Sequence, residues 1–153
     1  MSCKRRILID KNMTKDLQLV WTKHPSIKYS DRQYLDYLIS GQPLREYLGI
    51  ESKSIVTGFG FFPSKAEQNR ILKEFRLQQK TILAEDRIEL YLCDCCGDIS
   101  CGAITVKIID KGDKIIWTDF ANQNNRYEIG EPIEVSQIEF DRQTYFKAFS
   151  IVN

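Results

Sequence analysis

The chain has 153 residues, of which 42% are hydrophobic and 28% are charged, and its formal net charge is +1. These ordinary globular values exclude a disordered or fibrous chain and predict a single domain over residues 1–153. No apolar run approaches the roughly 20 residues of a membrane-spanning helix, and the basic amino terminus lacks the apolar stretch of about 7–15 residues of an export signal. The sequence therefore predicts a cytoplasmic protein with no membrane partner.

Strand patterns come first along the chain. Apolar residues alternate in segments 16–21 and 32–39, which predicts two strands, the second of them ended by Gly41. Pro43 and Gly49 are then typical of the start and the stop of a short helix.

A loop and a longer helix follow. The glycines, proline and aromatic residues of segment 50–63 predict a packed loop. Ser64 and Glu67 form a capping box ahead of an apolar stripe, which predicts a helix at about 64–79.

The second half of the chain is more regular. Alternating apolar residues predict strands at 87–93, 103–109 and 114–120, joined in succession so that they form a meander. Asp141 is a suitable cap for a final helix over 142–152. The expected fold is α+β: one antiparallel sheet, a meander, with two main helices packed on one face.

The charges of the chain are distributed unevenly. Residues 1–30 carry seven Lys or Arg and two Asp, whereas residues 84–153 carry seven Lys or Arg and thirteen Asp or Glu, a net charge of −6. The basic residues are dispersed, and no aromatic-rich basic motif accompanies them, which argues against nucleic-acid binding. The acidic half either faces water and the basic end of the chain, or binds a basic partner.

Four of the five cysteines lie within nine positions. Cys93 and Cys96 have the C-x-x-C spacing of a zinc knuckle, Gly97 follows them, and Cys101 is a plausible third ligand. Cys95 is expected to point away. Three other side chains are candidates for a fourth ligand: Asp98, Cys3 and His24. A second C-x-x-C pair, which would make zinc the first choice, is absent from the sequence.

Two other interpretations of these cysteines stay open. A thioredoxin-like redox centre needs its cysteines at a helix start, whereas here they lie between two predicted antiparallel strands. The favoured interpretation is that Cys93 and Cys101 are small buried residues at strand ends, reduced and without metal or cofactor. The loop is then a tight connection in which Gly97 and Gly102 supply backbone freedom and Asp98 accepts hydrogen bonds from loop amides.

The sequence shows no convincing set of catalytic residues. The chain has one histidine, His24, so any Ser-His-Asp or Cys-His arrangement would depend on it. The G-x-G within "TGFGFFP" lacks the third glycine of a phosphate loop. No catalytic residue is assigned, and a protein without enzymatic activity is expected.

A polar loop over residues 119–131 is the predicted recognition surface, because loops on a rigid sheet commonly carry recognition. Its candidate contact residues for a protein partner are Asp119, Asn122, Asn124, Asn125, Glu128 and Glu131.

The cysteine loop and the strands after it resemble a family of small uncharacterised bacterial proteins marked by C-P-x-C-G-D-x-x-C-G and, later, W-x-D-F. The matching residues are Cys93, Cys96, Gly97, Asp98, Cys101, Gly102, Trp117, Asp119 and Phe120. The resemblance extends over about the last 70 residues and, loosely, over 34–49; it departs at Asp94, where the family has proline, and at the added Cys95.

This resemblance implies a small stand-alone bacterial protein, a type that includes many immunity proteins. The leading hypothesis is therefore a non-catalytic immunity protein that binds and blocks a cognate toxin, such as a basic nuclease. A zinc-binding module using Cys93, Cys96 and Cys101 is the alternative, and a thiol oxidoreductase is the third hypothesis.

Overall fold

The computed structural model describes residues 13–152, so the basic amino terminus, with the ligand candidate Cys3, lies outside the described residues. The strands are β1 (Leu17–Lys23), β2 (Gln33–Ile39), β3 (Gln42–Pro43), β4 (Ile55–Val56), β5 (Arg87–Cys93), β6 (Ala103–Asp110), β7 (Lys114–Gln123) and β8 (Ile138–Asp141). The α-helices are α1 (Leu44–Tyr47), α2 (Lys65–Phe75) and α3 (Arg142–Ala148). All strand pairs within the sheets are antiparallel, which confirms the predicted α+β class.

The strands form two sheets rather than the one sheet that was predicted, because β1, β2 and β3 pair with one another and not with the strands of the meander. β1, β2 and β3 make a three-stranded sheet, and β4 to β8 make a five-stranded sheet in sequential order, which contains the predicted meander. The strands of the meander slip by one residue at two bulges, one between Glu89 and Tyr91 and one between Thr105 and Lys107. β7 runs three residues beyond its predicted end at residue 120, so Asn122 belongs to a strand rather than to the predicted loop. Asp119 lies in the part of β7 that was predicted as a strand.

The helices begin where their caps predict. The Ser64 hydroxyl accepts the Glu67 N–H (3.2 Å) at the start of α2, and the Asp141 carboxylate accepts the Thr144 N–H (3.0 Å) at the start of α3. α2 ends four residues before its predicted end because Leu77 adopts a left-handed conformation (φ +59°) that breaks the helical bonding. After α3 the chain tightens into a 3-10 turn at 149–151.

The core lies where both longer helices meet the five-stranded sheet. Trp117 of β7 is fully buried, and its ring contacts Phe75 of α2 and Tyr145 of α3 (centroids 5.8 and 6.1 Å apart). Because both helices reach the same side chain, they cover the same face of that sheet, as predicted. Tyr37 of β2 also contacts this ring (5.6 Å), which joins the three-stranded sheet to the same core. Among the described residues, no helix is both long and apolar enough to cross a membrane.

Candidate functional site

Three cysteines converge in the loop between β5 and β6. The Sγ atoms of Cys93, Cys96 and Cys101 lie within 4.8 Å of one another, and we call this group the thiol cluster. The Gly97 N–H donates to the Cys93 carbonyl (2.9 Å), which closes a tight turn between the first two thiols. Gly97 has a φ of +65°, which an L side chain rarely adopts. The backbone therefore holds the cluster together before any ligand is bound.

The third thiol reaches the cluster through a short 3-10 turn. The Asp98 side chain accepts the Ser100 N–H (3.3 Å) and caps the turn Ile99–Cys101, and Gly102 (φ +102°) then leads the chain into β6. These features confirm the predicted tight connection between neighbouring strands and the role of Asp98 within it.

The burial of these cysteines was predicted wrongly. Cys101 is exposed and Cys93 is only partly buried, so these two are not the small buried residues at strand ends that were predicted. Cys96 is exposed as well. The physical reason is the 3-10 turn: it directs Ile99 into the core, where 6% of its surface is exposed, and leaves Cys101 on the outside. As predicted, Cys95 is exposed and stands outside the cluster.

The thiols of the cluster differ in acidity. A hydrogen bond from Cys101 lowers the pKa of Cys96, and the same bond raises the pKa of Cys101 to about 12. Cys96 is therefore the more acidic of these two thiols.

We expect Cys96 to react with iodoacetamide at least about tenfold faster than Cys101 in the metal-free protein at pH 8, because each unit of pKa changes the thiolate fraction roughly tenfold. Peptide mass spectrometry after timed labelling measures both rates. Equal rates would contradict the proton sharing described above, and slow labelling of both would argue against a thiol oxidoreductase.

Both ring nitrogens of His24, one of the candidate fourth ligands, have hydrogen-bond partners. It is buried, its Nδ1 accepts the Ser26 N–H (3.0 Å), and its Nε2 lies 2.8 Å from the Asp94 carboxylate. Because Nδ1 is an acceptor, Nε2 carries the proton and donates to Asp94. Neither nitrogen is free for a metal, and His24 ties β1 to the cysteine loop instead.

A cleft of about 620 Å³ adjoins the thiol cluster. Its walls are the segment after α1, the start of β6, the end of β7 and the chain around residue 131. Apolar residues such as Ile50 and Ile133 share these walls with Glu51 and Glu131, and no Lys or Arg of residues 13–152 lines them. Cys101 belongs both to the cleft and to the thiol cluster, so the two features form one continuous surface.

Three of the six predicted recognition residues line this cleft: Asn122, Asn124 and Glu131. The backbone fixes two of them, because the Asn122 N–H donates to the Glu131 carbonyl (2.8 Å). Asn125 instead shapes the turn, since its Oδ1 accepts the N–H groups of Tyr127 (2.8 Å) and Glu128 (2.9 Å). Glu128 is exposed and does not line the cleft.

Asp119, the sixth predicted contact residue, has a structural partner. Arg87 is fully buried; it donates to the Asp119 carboxylate (3.2 Å), to the Asp119 carbonyl and to the Thr105 hydroxyl (2.9 Å). Burial lowers the pKa of Arg87 and the charge of Asp119 opposes that shift. Asp119 thus stabilises the irregular part of β7 that leads to Asn122, with a φ of +57°.

The segment that forms one wall of the cleft is held by Arg45. Its guanidinium donates to the carbonyls of Ser52 (3.1 Å) and Ile55 (2.9 Å), which both lie on that wall. Arg45 Nε lies 3.7 Å from the carboxylate of Asp36, which is buried on β2. The pairing of Asp36 with Arg45 therefore connects the three-stranded sheet to the cleft.

A second ionic group lies between α2 and β5. Arg70 binds the carboxylates of Glu67 (2.9 Å), Glu74 (3.0 Å) and Glu89 (2.9 Å). Glu67 and Glu74 are three and four residues from Arg70 along one helix, and this spacing is the sequence signal for two of these contacts. Each carboxylate is paired with the same cation, which gives this group a structural role.

The chain matches no protein-family model, no curated protein and no solved structure. Its function is therefore inferred from the thiol cluster and the cleft.

Proposed function

We propose that the protein binds one zinc ion through the thiolates of Cys93, Cys96 and Cys101. The observation that carries this proposal is that the three Sγ atoms lie within 4.8 Å of one another. Thiolates around a tetrahedral zinc ion, with Zn–S distances of about 2.3 Å, are about 3.8 Å apart, so small side-chain rotations are sufficient.

The chemistry of the ligands supports zinc. Three soft thiolates select zinc over magnesium or calcium, which prefer oxygen ligands. Cys96 already has a lowered pKa because it accepts a hydrogen bond from Cys101, and binding a cation would replace the protons of the other two thiols. The Gly97-to-Cys93 hydrogen bond closes the loop in advance, so little backbone order remains to be imposed.

The bound ion would stabilise the cysteine loop rather than the whole fold. The core around Trp117 is built by the sheets and by α2 and α3, with no contribution from the three thiols. We therefore expect the metal-free protein to remain folded and zinc to add stability in proportion to its binding. The protein would thus be a zinc-binding structural or regulatory module.

Metal titration tests the proposal. We expect about one zinc per chain, and the Cys96→Ser variant should bind zinc at least about 100-fold more weakly, since losing even an outer-shell partner costs 10–100-fold. Competition with a chromophoric chelator measures the affinity.

Cys95→Ser is the matched control, because it removes an exposed thiol one position away that lies outside the cluster. We expect it to bind zinc as the parent does. The proposal is wrong if the parent binds no zinc, or if Cys95→Ser weakens binding as much as Cys96→Ser.

A second candidate function is favoured by the cleft. We propose that the cleft binds a basic protein partner. The family resemblance supports one type of such protein, an immunity protein that blocks a cognate toxin. The supporting observation is that, within residues 13–152, the charged residues of the lining are Glu51 and Glu131, without Lys or Arg. Like the acidic carboxyl-terminal half of the chain, such a lining attracts a cationic surface.

Co-expression with the products of neighbouring genes, each tested for toxicity, tests this second function. We expect protection from one of them, and loss of that protection in the double variant Glu51→Lys, Glu131→Lys, since the cleft then repels a basic partner. Glu128→Lys is the control: it makes the same charge change nearby, on an exposed residue outside the cleft lining. If no neighbouring toxin is blocked, or if the control loses protection equally, the cleft is not the recognition surface.

A further inference from the structure

We infer that the fourth coordination position of this zinc is filled from the cleft, by a cysteine or histidine side chain of a basic partner protein. The inference rests on the proposed zinc binding and adds the kind of ligand that completes it. It follows from what the thiol cluster lacks, from where the cluster opens and from the charge of the surface beside it.

The thiol cluster lacks a fourth donor within residues 13–152. No further cysteine, histidine or carboxylate of this part of the chain joins the three thiols at the same distance. The nearest carboxylates in sequence have other partners, since Asp94 accepts from His24 and Asp98 accepts from Ser100. Structural zinc sites are almost always four-coordinate, and sites with three protein ligands keep one position for an external ligand.

The cluster opens towards the cleft. Cys96 and Cys101 are exposed, and Cys101 is part of the cleft wall. A side chain that enters the cleft therefore lies beside Cys101, one of the three ligands of the proposed zinc. The volume of about 620 Å³ is within the range of small-ligand sites, roughly 300–1,000 Å³, and accommodates a few side chains of a peptide.

The charge of the cleft favours basic residues on either side of the partner residue that binds the zinc. Glu51 and Glu131 would pair with Lys or Arg on either side of the ligating residue, while Ile50 and Ile133 offer apolar contact. A zinc ion with three thiolates has a net charge of −1, so it adds to this preference for a cationic segment. The predicted ligand is thus a histidine or cysteine between basic residues.

Cobalt substitution tests the inference on the full chain, because the visible absorption of Co²⁺ reports its coordination while the metal remains at the site. The probes are two synthetic peptides, one with a single histidine between lysines and one with the same histidine between glutamates. We expect the basic peptide to change the cobalt spectrum with half-saturation at least tenfold below that of the acidic peptide. In the double variant Glu51→Lys, Glu131→Lys this preference should disappear.

Each of the other outcomes overturns a different part of the proposal. Failure of Co²⁺ and Zn²⁺ to bind at all would remove the proposed function itself. A metal that binds while neither peptide alters the spectrum would overturn the inference alone. A changed spectrum in Cys3→Ser would then show that the chain supplies its own fourth ligand. If the two peptides reach half-saturation at equal concentrations, the fourth position is open but the cleft does not select for charge. That result would overturn the claim that the partner is basic.

Discussion

Replacing Arg70 with methionine is expected to lower the free energy of unfolding by about 3–5 kcal/mol, because it leaves buried carboxylates without their cation. The side chain of Glu74 is fully buried and that of Glu89 is 5% exposed, and both bind the Arg70 guanidinium. Methionine replaces the aliphatic stem of the arginine side chain but not its guanidinium group, so the loss is mainly that of the charge. Urea unfolding at about pH 7.5 measures the effect.

The loss should depend on pH with a definite sign. Burial raises the pKa of Glu74, and Arg70 partly offsets this shift, so removing Arg70 raises that pKa further. A carboxyl with a raised pKa in the folded state takes up a proton more readily folded than unfolded, and stability falls as pH rises through the folded pKa. The destabilisation should therefore be smaller at about pH 5 than at pH 7.5.

Lys73→Met is the matched control, since Lys73 is exposed on the same helix. It should change stability by no more than about 0.5 kcal/mol. If Arg70→Met were equally harmless, or if its effect grew on acidification, the carboxylates would not depend on Arg70 in the way described.

Asp36→Ala is expected to cost about 3 kcal/mol, because it leaves buried polar groups unpaired. The Tyr91 hydroxyl donates to Asp36 (2.7 Å) from a fully buried position, and the Tyr37 N–H donates to the same side chain (2.8 Å). Arg45 would also lose its counter-charge, and with it the support of the cleft wall at Ser52 and Ile55.

Two measurements separate these effects. Urea unfolding gives the total loss of stability, and hydrogen exchange at residues 52–56 should become faster if Arg45 no longer holds that segment. Asp31→Ala, at an exposed aspartate five residues earlier, is expected to leave both unchanged. Unaltered exchange in Asp36→Ala would contradict the link between the three-stranded sheet and the cleft.

Local patterns were sufficient for most elements. β1, β2, β5, β6 and β7 were predicted because apolar alternation and a buried face have the same period of two, and the caps Ser64 and Asp141 indicated two helices. β3 and β4, which have two residues each, were missed, and β4 lies within segment 50–63, which was predicted as a loop. β8 was missed because it has only four residues and follows an irregular stretch. Its pairing with β7 is a tertiary contact that periodicity does not contain.

The candidate site was predictable only in part. The spacing of Cys93, Cys96 and Cys101 indicated a possible ligand set, but burial could not be inferred, because a single 3-10 turn decides whether Ile99 or Cys101 faces the core. Glu51 and Glu131 are eighty positions apart in the sequence, and only the folded chain shows that both line one cleft together with Cys101.

X-ray absorption at the zinc edge of the loaded protein tests the central claim most directly, because it counts the sulfur atoms bound to the metal. The account predicts three sulfurs at about 2.3 Å in the parent and two in the Cys96→Ser variant. A first shell of nitrogen and oxygen alone, or a sulfur count that does not fall in Cys96→Ser, would contradict binding of zinc by Cys93, Cys96 and Cys101.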